Sequence, residues 1–378
     1  MGAYIMSLSN ISDHADDVVE TGPMTHARSN HCATRMADGR VVVTGGVNDL
    51  AALDTTQRSL RGTVNAVLDT AEIYLPDTHR WGMLAPMLSR RSGHCVAVLT
   101  SGDLLVVGGD NGIGSQRSVE RYDTVTGQWT AVAPMATPRF SHSGVTLKDG
   151  KLLVCGGNNL QDEQGQVLSA AEIYNATNAT WRPAAPMHHA RMNHTATVLP
   201  SGMVLVVGGY PGASDQAATD SAELYDPSRD VWIDAAPLPY ARMQHTATLL
   251  ASGKVLIVGG ALAPFEQGHA SSQVYDPATN RWETAAELTY GRKGHTATVL
   301  PSGRVLVVGS ASTASPVSAR VTELYDPQTG QWTVGADLLQ GRFAHAATAL
   351  DTGEVLIVGG MLPVSHPFPI NTAELYRE

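Results

Sequence analysis

The chain is 378 residues long, 43% apolar and 16% charged, with a formal net charge of −10. No apolar run approaches the ~20 residues that span a bilayer, and the acidic balance argues against nucleic acid or a membrane surface as partner. Three cysteines without Cys-x-x-Cys spacing (Cys32, Cys95, Cys155) argue against a disulfide framework.

Residues 1–16 read as a tail with neither a basic n-region nor a continuous apolar h-region, so no secretory signal is expected and the expected compartment is cytoplasmic. The stretch VVETGPM (18–24) aligns with WTAVAPM (129–135) and predicts a strand over 17–21. From Arg28 onward one phrase recurs. Arg28, Arg91, Arg139, Arg191, Arg242, Arg292 and Arg342 are each followed three residues later by His31, His94, His142, His194, His245, His295 and His345. The spacings are 63, 48, 52, 51, 50 and 50. Each histidine precedes a Gly-Gly pair, at 45–46, 108–109, 156–157, 208–209, 259–260 and 359–360, with Gly309-Ser310 as the degenerate copy. A variable stretch follows, then a segment of the type AELYDP, and six copies finish on Trp81, Trp129, Trp181, Trp232, Trp282 and Trp332. Each copy therefore holds four short strand-like runs separated by SG, DG and DPxT turns.

A double glycine, a tyrosine and a tryptophan at a period near 50 resemble the kelch repeat, whose units are the four-stranded blades of a β-propeller. The resemblance covers roughly residues 18–377. It implies an all-β fold, a seven-bladed kelch-type β-propeller with four-stranded antiparallel blades, as one domain over 1–378. The seventh copy lacks a Trp segment, so the strand at 17–21 is expected to complete it as a clasp, leaving no unpaired edge.

Seven internal copies separate frame from site: a residue kept in every copy serves the blade, and one that varies is free to serve a site. Glu72, Glu120, Glu172, Glu223, Glu323 and Glu374 each precede the tyrosine by two and are expected to pair with the repeated arginines. Gln273 replaces the glutamate in copy five, which makes Arg242 a candidate to hold a carboxylate or phosphate. The seven histidines fall where the resemblance implies the innermost strand. They are expected to hydrogen-bond neighbouring blades, with a subset as candidate ligands for Fe, Cu or Zn. Galactose oxidase-type enzymes, which are similar in repeat type, place a copper-ligating tyrosine directly before such a histidine. Here Asn30, Gly93, Ser141, Asn193, Gln244, Gly294 and Ala344 stand there, so copper-radical oxidation is not expected.

The positions after the arginines vary: Ser29, Ser92, Phe140, Met192, Met243, Lys293 and Phe343. They suggest an apolar wall for a small organic ligand with a single amine, Lys293, as base or nucleophile. Asn30, Asn193 and Gln244 are candidate donors to a bound carbonyl, and Tyr210 a further substrate contact. The loops after Gly-Gly vary most. The first, 47–70, holds Leu50, Leu53, Leu60, Arg58 and Arg61 and reads as a lid or interface element. Two functions are consistent with these residues. One is a small-molecule enzyme of isomerase, cyclase or lyase type at the channel mouth, with Lys293 and Arg242 as catalytic candidates and a divalent metal as candidate cofactor. The other is a protein- or peptide-binding module without catalysis, since propellers host both.

Overall fold

The computed structural model describes residues 17–49, 66–160, 165–212, 217–264, 266–311 and 316–378. The interior of the long first loop, with Leu50, Leu53, Leu60, Arg58 and Arg61, and the tail 1–16 lie outside the described residues.

Seven four-stranded antiparallel sheets form the blades. Blade four shows the plan: an inner strand Thr195–Val198, then Val204–Val207, Ala222–Asp226 and an outer strand Val231–Ala235. The second strand is a run of four apolar residues, buried on both sides because each blade is packed between two others. The inner hairpin turns at Gly202, whose φ of +91° suits glycine. Register then places Tyr225 opposite Trp232, with ring centroids 4.9 Å apart. Trp232 Nε1 donates to the Ala185 carbonyl at the end of blade three (2.7 Å), which ties the outer edges of neighbouring blades. Trp129, Trp181, Trp282 and Trp332 repeat that link.

The seven inner strands lie side by side around the ring, and that of blade seven, Ala346–Ala349, packs against that of blade one, Cys32–Arg35. Blade seven is completed by Val18–Glu20, which pairs with Ala373–Tyr376 in the register Val18↔Tyr376, Val19↔Leu375 and Glu20↔Glu374. Both chain ends thus share one sheet, and the outer edge of the last blade is made by the start of the chain.

Candidate functional site

All seven repeated arginines are fully buried. Each enters its own blade beside the third strand. Arg191 Nη2 meets Glu223 Oε1 at 2.7 Å while Nη1 donates to the Gly208 carbonyl at 2.7 Å. Glu223 also accepts the backbone N–H groups of His188 (2.7 Å) and His189 (3.2 Å). Arg28–Glu72, Arg91–Glu120, Arg139–Glu172, Arg292–Glu323 and Arg342–Glu374 repeat the pair. The pairs hold strands within a blade, and the arginine carbonyls make one set of links between blades. The second residue of each Gly-Gly donates its N–H to the next blade's arginine carbonyl, from Gly46→Arg91 (2.9 Å) round to Gly360→Arg28 (2.8 Å), with Ser310→Arg342 (3.1 Å) in the degenerate copy. The first glycine lies under the next blade's histidine: a Cβ on Gly45, where φ is +61°, would sit 2.9 Å from His94 Cε1.

Arg242 is no exception to this frame. Its Nη2 donates to Gln273 Oε1 (2.5 Å) and Nη1 to the Gly259 carbonyl (2.7 Å), so the sequence expectation of a guanidinium free for an anion is corrected. Burial lowers its pKa to about 10, but the group remains a cation.

The histidine rings stand between blades. His94 hydrogen-bonds Thr44 (2.9 Å), His245 Thr195 (2.9 Å), His295 Thr246 (3.0 Å) and His345 Thr296 (2.8 Å), each through Nε2. His142 and His194 meet the thiols of Cys95 (3.3 Å) and Cys155 (3.7 Å) in the same way. Cys32 donates to the His94 carbonyl (3.2 Å). His31 differs. The Val358 carbonyl faces its ring, but neither nitrogen has a hydrogen-bond partner of normal geometry, because Ala346 stands where blades four to six carry threonine. Burial, reinforced by the arginines, pushes His31, His142 and His295 down to about 3 and holds the other four well below the usual range. Burial likewise pushes the Cys32 and Cys155 thiols up to about 12. The rings are neutral inter-blade links. Among the described residues they form no set of three ligand atoms within 4.8 Å of one another.

The residues preceding the histidines form a feature that the sequence reading missed. Asn30, Gly93, Ser141, Asn193, Gln244, Gly294 and Ala344 all have φ between 50° and 61°. Their backbones close a circle: each N–H donates to the carbonyl of the equivalent residue one blade earlier, at 2.9–3.2 Å. The circle rims the channel, with Asn30 and Gln244 exposed and Ser141 and Asn193 half-buried. Outside it, residues after the arginines bridge the residues after Gly-Gly: Ser29↔Val47, Ser92↔Asp110, Phe140↔Asn158, Met192↔Tyr210, Met243↔Ala261 and Phe343↔Met361. Phe140, Met192, Tyr210 and Phe343 are half-buried there, whereas Met243 is buried and offers a ligand no surface. Asp110, Asn158 and Met361 belong to this shell too, and the signal for them was their place directly after the glycines.

Lys293 is buried, not solvated at the mouth. Its ammonium donates to the carbonyls of Pro264 (2.6 Å) and Glu266 (2.7 Å), clipping the loop of blade five onto blade six. Burial lowers its pKa, but two carbonyl acceptors favour the charged form over a free amine base.

Comparison with known proteins agrees with this construction. Residues 90–136 and 139–188 match the Kelch motif family. Human Kelch-like protein 35 is 37% identical over 82 residues, 22% of this chain and 13% of that one. Human Kelch-like protein 23 is 26% identical over 234 residues, 62% of this chain and 37% of that one. The human influenza virus NS1A-binding protein is 36% identical over 99 residues, 26% and 13% of the two chains. The matches thus span well under half the length of these relatives. A copper-bound fungal alcohol oxidase of the AA5 family superposes with a TM-score of 0.73, covering 95% of this chain and 75% of its own at 16% identity, a likeness of fold alone. The motif, these relatives and seven blades of one construction make the chain a kelch-repeat β-propeller protein.

Proposed function

We propose that the channel-mouth face binds an extended peptide segment of a partner protein and does no chemistry on it. The observation that carries this reading is the engagement of the reactive groups. Arg242, Lys293 and six of the seven histidines each hold a hydrogen bond inside the frame. That leaves the small-molecule enzyme without the base and cation on which it rested. What faces outward at the rim is a set of amides and a hydroxyl (Asn30, Asn193, Gln244, Ser141) beside Phe140, Met192, Tyr210 and Phe343. Side-chain amides pair with a peptide backbone, and aromatic and thioether groups take its side chains. One relative, the human influenza virus NS1A-binding protein, is named for the protein it binds, which supports the reading.

The test is selection of displayed random peptides on the wild type and on the triple variant Asn193→Ala/Gln244→Ala/Phe343→Ala. Ala344 holds the same left-handed conformation (φ 51°), so alanine is tolerated at the two amide positions. Peptides enriched on the wild type and lost on the variant are expected. Equal enrichment on both, or none on either, would overturn the proposal.

A further inference from the structure

Blade four combines at one spot three residues that no other blade brings together. Three residues before the repeated arginine stands His188, where the other blades have Thr25, Leu88, Ala136, Pro239, Thr289 and Leu339. Beside it is His189. Across the outer hairpin, the residue paired with the framework glutamate is Asp234, where other blades place Met83, Ala131, Pro183, Val334 and, opposite Gln273, Thr284. The result is an imidazole between two carboxylates: His188 Nδ1 lies 2.7 Å from Asp234 Oδ1 and 3.8 Å from Glu223 Oε2. His189 Nδ1 lies 3.5 Å from the other oxygen of Glu223. Two blades act as internal controls. Blade seven has the second carboxylate, Glu20 opposite Glu374, but carries Leu339 and Gln340 in place of the imidazoles. Blade one has an imidazole, His26 at 3.4 Å from Glu72, but Met83 in place of the acid.

We propose that His188, Asp234 and Glu223 form a surface site for a divalent transition-metal ion of the zinc class, at the outer rim of the face that bears the arginine turns. Among the described residues this is the group of three whose ligand atoms all lie within 4.8 Å of one another. One nitrogen and two carboxylate oxygens are a donor set that such ions accept at about 2.0–2.2 Å. Ligand atoms around a tetrahedral ion at that radius are about 3.3 Å apart, and the observed 2.7 and 3.8 Å separations bracket this value. Glu223 is held in place by Arg191 and two backbone N–H groups, so one ligand is already positioned. His188 and Asp234 are exposed, so a bound ion would keep a coordination position open to water or to a donor from a partner. The site does not depend on the peptide-binding reading of the channel mouth.

The test is zinc titration by calorimetry, and cobalt(II) absorption, on protein made without a polyhistidine tag. One ion per chain is expected, with a cobalt spectrum of a low-coordinate N/O site. His188→Thr imports the residue of blades one and six and Asp234→Val that of blade six, so both should fold, as their unshifted melting without metal will verify. Each should weaken zinc by about tenfold or more, the loss that even outer-sphere changes commonly cause, while His26→Ala should leave it unchanged. Absence of saturable binding would reduce the cluster to an ion pair and overturn the proposal. Affinity equal in wild type and both variants would overturn it too.

Discussion

Ala346→Thr should stabilise the propeller, because the joint between blades seven and one lacks a bond that its neighbours have. In blades four, five and six the residue after the histidine is threonine, and its hydroxyl meets the next blade's histidine at 2.8–3.0 Å. Ala346 occupies that position in blade seven, paired with Val358 across the hairpin, and the buried His31 ring is left without a partner. A new hydroxyl–imidazole bond nets about 0.5–1.5 kcal/mol, and relieving an unsatisfied buried nitrogen removes a cost of about 1–3 kcal/mol. After loss of rotamer freedom a gain of about 1–2 kcal/mol is expected. With an unfolding entropy of about 2.1 cal/mol/K per residue, this raises Tm by roughly 1–3 °C if the ring melts as one unit. Calorimetry and urea unfolding measure it, with two references. Thr296→Ala removes the matching bond to His345 and should cost a similar amount, and Ala346→Val adds bulk without the hydroxyl and should gain nothing. If Ala346→Thr is neutral while Thr296→Ala is costly, the hydroxyl–imidazole argument fails at this seam.

Acid should unfold the protein well above the carboxylate range. His31, His142 and His295 titrate at about 3 in the fold because burial opposes their charge, and at about 6.5 when unfolded. A depressed histidine contributes stability that is complete above the unfolded value and is lost as pH falls below it. Each of the three therefore costs about 2 kcal/mol at pH 5, together about 6 kcal/mol out of the usual 5–15. The other four shift the same way, so proton uptake on unfolding at pH 5 should reach three or more; stability that is flat from pH 7 to 5 would contradict this. A second pair of changes tests blade five. Pro239 has no N–H where its equivalents donate to the framework glutamate, and Gln273 replaces that glutamate. The double variant Pro239→Thr/Gln273→Glu should therefore be more stable than the two single effects add to, by about 1 kcal/mol or more in a double-mutant cycle; simple additivity would refute the coupling.

The blades were legible because the chain writes them seven times. Arg-x-x-His, Gly-Gly and Tyr with Trp recur at a period that only stacked, mutually buried sheets explain, and even the closing strand Val18–Glu20 follows from its match to residues 129–135. The site was legible only in part. That Lys293 is held by Pro264 and Glu266 depends on carbonyls in another blade's loop, and no spacing encodes where a loop's backbone turns. The circle of backbone bonds did leave a trace that went unread. Asn and Gly fill four of the seven positions before the histidines, and these are the residues that most readily accept a positive φ. Read as side-chain donors to a substrate, they looked like a site, but their first role is to let the backbone close the ring.

Gln273 shows why a comparison between copies must be made on groups and not on single positions. Taken alone, it frees Arg242 from its carboxylate and makes it a candidate for substrate. Taken with Pro239, it is a second adjustment to one change. Without that N–H, one oxygen of a buried carboxylate would lose its donor, and a buried, half-satisfied charge costs more than a neutral amide. Gln273 Oε1 still accepts from Arg242, and its Nε2 is left without a partner. A departure that another departure compensates belongs to the frame. The changes at His188, His189 and Asp234 are of the other kind. They leave the Arg191–Glu223 pair intact, add imidazole and carboxylate where the frame asks for neither, and converge on one exposed point. Chemistry that the fold does not need, gathered in one place, is what distinguishes a site from a repair.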